Sequence, residues 1–416
     1  MRVLVVSQYY WPENFRINEL VTSLIKRGVE VDVLTGKPNY PKGEKFSGYG
    51  SWGCQQEVHQ GILINRLPML ARGKSALRLA ANYLSFVISG LIFAPWMLRG
   101  KKYDVIFVYA PSPILQAIPA IFLGWQKCCP VALWVQDLWP ESLKATGFIR
   151  NDGILVAVGK LVQWIYRHTD SILVQSEAFI DQVAALADRR KIVFYPNSAD
   201  DIFALQESGG NCPIEGLGEG FSVVFAGNIG VAQSIDTILD AAAILLVQSP
   251  EIRLFLVGDG SCAKIIKDAI ENRNLKNIVM TGYFPPESMP AIFAKADALL
   301  ATLADKPIFS HTIPSKVQTY LAAGRPIIAC LNGEGQRIVC EAEAGICCPA
   351  EDGVALAAAI TELAAMSEND RWRFGENGRR YFQTHYSSSI LTQTLISYFE
   401  DMIRGTSLTN DNKASE

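Results

Sequence analysis

Short apolar runs of strand length alternate with stretches of helical periodicity from one end of the chain to the other. Residues 3–6, 29–34, 62–67, 105–109, 131–135, 172–174 and 192–194 read as strands in the first half. Residues 221–226, 252–257, 278–281, 298–301, 327–330 and 345–348 do so in the second. Helical patterns fall between them, most clearly at 17–26, 235–247 and 263–272. Strands apolar on both faces, alternating with helices, predict parallel sheets covered on both sides, an α/β class. The rhythm breaks once, in the polar, Gly-rich stretch 206–220, which reads as a linker. Two Rossmann-like domains follow, 1–205 and 221–385, with parallel sheets whose strand carboxyl ends face an interdomain, ligand-binding cleft. A last helix over 386–405, carrying the amphipathic stretch 390–403, is expected to return to the first domain. The polar tail 406–416 reads as disordered.

One segment stands apart. Residues 79–98 carry no charge over a length that could cross a bilayer. No acid occurs between Glu57 and Asp104, whereas Arg72, Lys74, Arg78, Arg99, Lys101 and Lys102 flank the segment. A spanning helix would put strands of one sheet on opposite sides of a membrane, so a span contradicts the fold. The remaining readings are a helix buried in the first domain and a helix lying in the interface, its basic flanks on anionic headgroups. The basic residues at both ends favour the second, with the protein attached to the cytoplasmic face of the cell membrane.

Composition narrows the class. A length of 416 residues exceeds one ordinary core. With 49% hydrophobic and 19% charged residues the chain is globular. A net charge of -3 gives no support to a nucleic-acid partner. Nine cysteines, with adjacent pairs at Cys128-Cys129 and Cys347-Cys348 but no Cys-x-x-Cys, point to reduced, mostly buried thiols and a cytoplasmic setting. The four histidines form no zinc pattern and Asp-x-Asp is absent, so neither metal nor cofactor is expected. From Met1-Arg2 the chain enters a strand directly and breaks at Ser7-Gln8, without a secretory signal pattern.

Candidate chemistry clusters at strand ends. From His311 to Pro326 the sequence predicts a short helix with Pro314 in its first turn, Lys316 one step inside and Gly324 as its stop. A helix N-terminus presents free N–H groups and partial positive charge, to which Lys316 adds a full charge. Gly227-Asn228-Ile229-Gly230 leaves a strand through two glycines and opens toward a helix, with Gln233 just beyond, a phosphate-cradle design. Gly258-Asp259-Gly260-Ser261-Cys262-Ala263 matches a dinucleotide fingerprint, but the next strand ends Met280-Thr281-Gly282-Tyr283, without the acid that would hold a ribose. An NAD-dependent enzyme modifying sugar nucleotides stays open as an alternative. In the first half, Asp137-Leu138-Trp139-Pro140-Glu141 places two carboxylates in a loop after a buried strand, Asp137 being the better placed to meet a substrate hydroxyl. The loop Tyr9-Tyr10-Trp11-Pro12-Glu13-Asn14-Phe15-Arg16 offers aromatic faces, Asn14 and Arg16 to a sugar or diphosphate.

Together with Tyr195-Pro196-Asn197 and Tyr320-Leu321-Ala322-Ala323-Gly324-Arg325-Pro326, these blocks resemble the retaining glycosyltransferases of family four, which have the GT-B fold. The variants around Asp137 and Gly227 are similar to the branch serving bacterial surface-polysaccharide assembly, which includes the N-acetyl-L-fucosamine transferases of O-antigen synthesis. That resemblance implies a UDP-sugar donor and a polyprenyl-diphosphate-linked acceptor. It assigns the donor to Gly227, Asn228, Gly230, Gln233, Gly258, Asp259, Gly260, His311, Ser315, Thr319 and Tyr320, and the acceptor to Asn14, Arg16 and Glu141. The chain also departs from the family. Asn228 and Gln233 stand where an Arg and a Lys are usual, His311 and Thr319 align with paired glutamates, and Gln136 aligns with a frequent histidine. Lys316 and Asp137 are therefore the expected catalytic residues, Lys316 replacing the missing cations. A non-catalytic GT-B assembly partner is the other alternative.

Overall fold

A computed structural model describes residues 1–405, apart from 42, 45, 51, 74, 146, 147, 150, 200 and 205–211. The chain divides into two units, Met1–Pro196 with the residues from Thr392 on, and Asn197–Leu391. The crossing into the second unit thus falls at Asn197. Of the stretch expected to link the domains, 206–211 lie outside the described residues, as does the tail 406–416, and 212–220 belong to the second unit.

The first unit is built on an eight-stranded sheet. Its strands are β1 (Arg2–Ser7), β2 (Glu30–Gly36), β3 (Gln55–His59), β4 (Ile62–Leu67), β5 (Val105–Ala110), β6 (Val131–Val135), β7 (Ser171–Val174) and β8 (Ile192–Phe194). Their order is β3-β4-β2-β1-β5-β6-β7-β8, and every pairing is parallel except β3 on β4. Val3, Leu4, Val5 and Val6 are fully buried, as a strand covered on both faces requires. The helices Ala76–Met97, Ala117–Lys127 and Asp152–Arg167 lie on one face, where Phe86, Ala120 and Val162 join one core with Leu4, Ile106 and Leu133. The Arg16–Lys26 helix takes the other face, and the last helix, Ser388–Arg404, packs there too. Phe399 meets the Phe107 ring edge-on and Arg27 donates to Gln393.

The second unit carries a six-stranded parallel sheet. It comprises β9 (Ser222–Ala226), β10 (Arg253–Val257), β11 (Ile278–Gly282), β12 (Ala298–Thr302), β13 (Ile327–Cys330) and β14 (Gly345–Cys348), in the order β11-β10-β9-β12-β13-β14. In each sheet the winding direction reverses once, at β1/β5 and at β9/β12. Ligands of doubly wound sheets bind beyond the strand carboxyl ends at such a reversal. Among the nine cysteines, Cys129, Cys330 and Cys348 are buried, while the others keep solvent contact, fewer buried thiols than the apolar runs suggest.

Candidate functional site

At the β9/β12 reversal the second unit opens a cavity of about 680 Å³. Its floor is the turn after β9, with Ala226, Gly227 and Asn228, and the turn after β10, with Gly258 and Asp259. The Ser315–Ala323 helix delivers Ser315, Lys316, Thr319 and Tyr320 to one wall. That helix starts at Pro314, whose extended backbone suits the cap, and stops at Gly324 in the left-handed conformation (φ 65°). The size suits a nucleotide-sugar-sized ligand.

Lys316 is the charge of this cavity. Its Nζ donates to Gln233 Oε1 at 2.6 Å and sits 3.4 Å from the centroid of the Phe225 ring. Among the described residues no carboxylate pairs with it. Protein atoms crowd it while it still lines the cavity, and that burial drives its pKa well below the ordinary lysine value. The charged form therefore costs the ligand-free fold. This cost is relieved as pH rises through the lowered pKa toward 10.5, so its contribution to stability increases with pH across that window. A diphosphate in the cavity would supply the missing counter-charge.

The glycines have identifiable structural reasons. Gly227 (φ 138°) lies against the Lys316 side chain: a Cβ there would meet Cε at 3.4 Å. Gly258 (φ 141°) would put a Cβ 1.9 Å from the Gly227 carbonyl oxygen, and Gly260 one 2.3 Å from that of Ile229. The two turns are laced together by Gly227 N–H to Val257 O, Ile229 N–H to Asp259 O and Cys262 N–H to Ile229 O, at 2.9–3.0 Å. The Gly-x-Gly-x-x-Ala pattern is thus accounted for by the close approach of the neighbouring turn.

Several expected donor residues are engaged inside the unit. The Tyr320 hydroxyl accepts the Ala226 N–H at 2.9 Å and lies 3.3 Å from the Ala226 carbonyl, pinning the helix to the end of β9. Replacing Tyr320 by Phe leaves a backbone N–H without its partner. A loss of about 1–3 kcal/mol in unfolding free energy is expected in denaturant titration, and unchanged stability would refute the pin. Thr319 returns its hydroxyl to the Ser315 carbonyl at 3.0 Å. Gln233 ties the Lys316 wall to the end of β12, where the Thr302 hydroxyl donates to its carbonyl at 2.6 Å. Gly230, Gly260 and His311 are not among the lining residues. Tyr283, Phe284, Met289 and Phe309 line the cavity without having been singled out in the sequence. Tyr283 and Phe284 follow directly on β11, and this aromatic pair at a strand end was the available signal.

The first unit gathers the other candidates at the carboxyl ends of β1, β5 and β6. Asp137 receives the Trp139 indole N–H at 3.2 Å, with the Ser112 and Ser142 hydroxyls close by. Burial raises its pKa above the usual aspartate value, and those neighbours oppose the rise. Glu141 starts the Glu141–Ala145 helix and is exposed, as is Asn14, while Arg16 opens the Arg16–Lys26 helix, part-buried. Tyr9, Tyr10 and Glu13 of the same loop are buried, and the Glu13 carboxylate takes the N–H groups of Tyr10, Asn39 and Tyr40, joining the loops after β1 and β2. Arg72 lies 5.2 Å from the Tyr40 ring centroid and its backbone N–H donates to Asn39 Oδ1 at 2.9 Å, and Lys101 pairs with Asp32 at 3.1 Å. Both charges are thus engaged within the unit. Arg78, Arg99 and Lys102 are exposed, and Lys74 lies outside the described residues. No group of three metal-ligating side chains occurs among the described residues.

Two parallel-dominated sheets, each with candidate residues at its winding reversal, give the architecture of a GT-B protein, and comparison with known proteins adds the activity. The glycosyl transferase 4-like domain model matches residues 14–198, and the model of glycosyl transferases group 1 matches 220–366. Each half of the chain thus matches a glycosyltransferase domain model, and the protein is a glycosyltransferase. It is 28% identical over 349 residues to a Pseudomonas aeruginosa protein named "Probable glycosyltransferase WbjE", covering 80% of this chain and 82% of that one. It is 24% identical to the O-antigen chain mannosyltransferase C of Escherichia coli, covering 98% and 100%. Among solved structures, Anabaena HepE in complex with UDP superposes with a TM-score of 0.67 at 13% identity, over 96% of this chain and 100% of that one.

Proposed function

We propose that this glycosyltransferase moves a sugar from a UDP-sugar to a polyprenyl-diphosphate-linked saccharide during bacterial surface-polysaccharide assembly, with retention at the anomeric carbon. The observation that carries the reading is Lys316, an amine with no carboxylate partner among the described residues, set in a nucleotide-sized cavity beside two glycine turns. Such a group holds the donor diphosphate and stabilises the negative charge that grows on it as the glycosidic bond breaks. Tyr283, 71% exposed at the cavity, offers a flat face to a nucleobase. The UDP bound by HepE, within the same fold, supports a uridine donor. Asp137 accepts a hydrogen bond from the acceptor hydroxyl, with Asn14, Arg16 and Glu141 around the acceptor. N-acetyl-L-fucosamine is the proposed sugar. The protein works at the cytoplasmic face of the cell membrane, with the segment 79–98 in the interface.

The donor assignment has a proton signature. Burial lowers the Lys316 pKa in the empty site and a diphosphate raises it, so UDP binding takes up a proton at pH values between the two. Affinity for UDP is expected to fall as pH rises through the interval between the lysine pKa of the free site and that of the complex. Calorimetric titration in buffers of different ionisation enthalpy measures the uptake, and pH-independent binding refutes the ion pair. A panel of UDP- and GDP-sugars with undecaprenyl-diphosphate-linked acceptors tests the reaction. Transfer from GDP-sugars alone would overturn the uridine assignment.

A further inference from the structure

The long apolar helix of the first unit does not stand alone on its surface. Only 28% of the most apolar window of Ala76–Met97 is buried. Phe86, Gly90 and Ala94 face inward, while Leu77, Leu84, Ile88 and Ile92 form an outward stripe at steps of seven or four residues, Ile92 being 61% exposed. The neighbouring Ala117–Lys127 helix comes close because Gly90 has no side chain: a Cβ there would lie 2.7 Å from Pro119 Cβ. That helix turns Phe122 and Trp125 outward, Trp125 being 56% exposed. Trp125 meets Trp164 of the Asp152–Arg167 helix edge-on, with centroids 6.3 Å apart. On this third helix Ile154, Ala157, Leu161 and Trp164 recur at three- and four-residue steps and are exposed. Three adjacent helices on one face of the sheet thus expose a continuous apolar surface, well beyond the scattered apolar side chains of an ordinary monomer.

Charge identifies what covers it. The three helices contain a single acid, Asp152, which opens the third and lies 3.9 Å from Lys144. Beyond the helix ends lie Asp104 and Asp170, and against these three acids stand Arg78, Lys160 and Arg167 on the helices, with Arg99 and Lys102 just beyond the first, all five exposed. A second copy of the same face would bring these like charges together. A bilayer bearing anionic headgroups complements them while accepting the apolar side chains and placing Trp96, Trp125 and Trp164 at the headgroup level.

We infer that the helices Ala76–Met97, Ala117–Lys127 and Asp152–Arg167 form one docking raft that lies on an anionic lipid surface. The inference rests on the reading of the chain as a peripheral membrane enzyme and extends the contact from one helix to three.

Flotation with phosphatidylcholine vesicles, with and without phosphatidylglycerol, tests it on the full-length protein. Wild type should float with the anionic vesicles at low salt and be released at high salt. Ile154→Glu/Leu161→Glu on the third helix should reduce vesicle partition about tenfold or more, as should Leu84→Glu/Ile88→Glu on the first. Thermal melts and circular dichroism of both pairs should match wild type, which verifies folding of the first unit, and UDP affinity should be unchanged. Lipids brominated in the acyl chains should quench tryptophan fluorescence, less so in Trp125→Ser. If wild type floats and the third-helix pair floats equally well, the raft is overturned while a one-helix attachment survives. If wild type stays free of anionic vesicles, both fall, whatever the sugar-transfer assay shows. If it stays free and sedimentation shows a dimer that either pair dissociates, the face serves a second copy instead.

Discussion

Replacing Lys316 with alanine should lower kcat for sugar transfer by about 10²–10³-fold, the usual cost of removing a preorganised electrostatic stabiliser. The variant should remain folded, because it removes a buried ammonium that no described carboxylate balances. Its melting temperature should hold or rise, in contrast to deletions that leave a buried group unpaired. UDP affinity should weaken as well, and its dependence on pH should flatten. Lys316→Arg should recover little, since a planar fork in place of a compact ammonium must find room beside Gly227 and Gln233. Steady-state transfer assays and thermal melts measure the two halves of the expectation. A near-normal kcat would remove Lys316 from the chemistry. No UDP release from wild type with any donor and lipid acceptor would favour the non-catalytic assembly partner.

The strands of both sheets could be read in the sequence because nearly all of them are covered on both faces, and such strands appear as unbroken apolar runs. The exception shows the rule. Gln55–His59 was not anticipated: it is an antiparallel edge strand, polar along most of its length, with its one aliphatic residue, Val58, 70% exposed. Lys316 was legible for a local reason, since a Pro-Ser-Lys helix start after a strand places a cation at a site by itself. The aromatic lining was not read, because the Tyr283-Phe284 pair after β11 and Phe309 of the Pro307–Ser310 helix meet only in the folded unit. Local charge counts also failed to reveal partners. Lys101 looked like a membrane flank, yet Asp32 lies far from it in sequence and beside it in space. The three-helix surface needed the fold as well: two of its helices carry interrupted apolar stripes, and only their adjacency joins the stripes to the first.

Gly258→Ala should destabilise the second unit by about 2–6 kcal/mol, combining steric overpacking with a strained left-side backbone. The added methyl would stand 1.9 Å from the Gly227 carbonyl oxygen at φ 141°, and the obstructing atom is backbone, so no side-chain rotation relieves it. A domain of ordinary stability has roughly 5–15 kcal/mol to lose, so partial unfolding at physiological temperature is within reach. Gly282→Ala separates the two causes. Gly282 also has positive φ, 79°, but open space where a Cβ would go. It should lose only the backbone part, roughly 1–2 kcal/mol. Denaturant titration of both variants measures the difference. The opposing account of the Gly258 pattern, a dinucleotide site, makes a different forecast: a stable Gly258→Ala protein that has lost NADH binding, from a wild type that shows it. Packing of the two glycine turns against each other requires the reverse, a wild type indifferent to NADH and a variant that melts early and loses its UDP site with its fold.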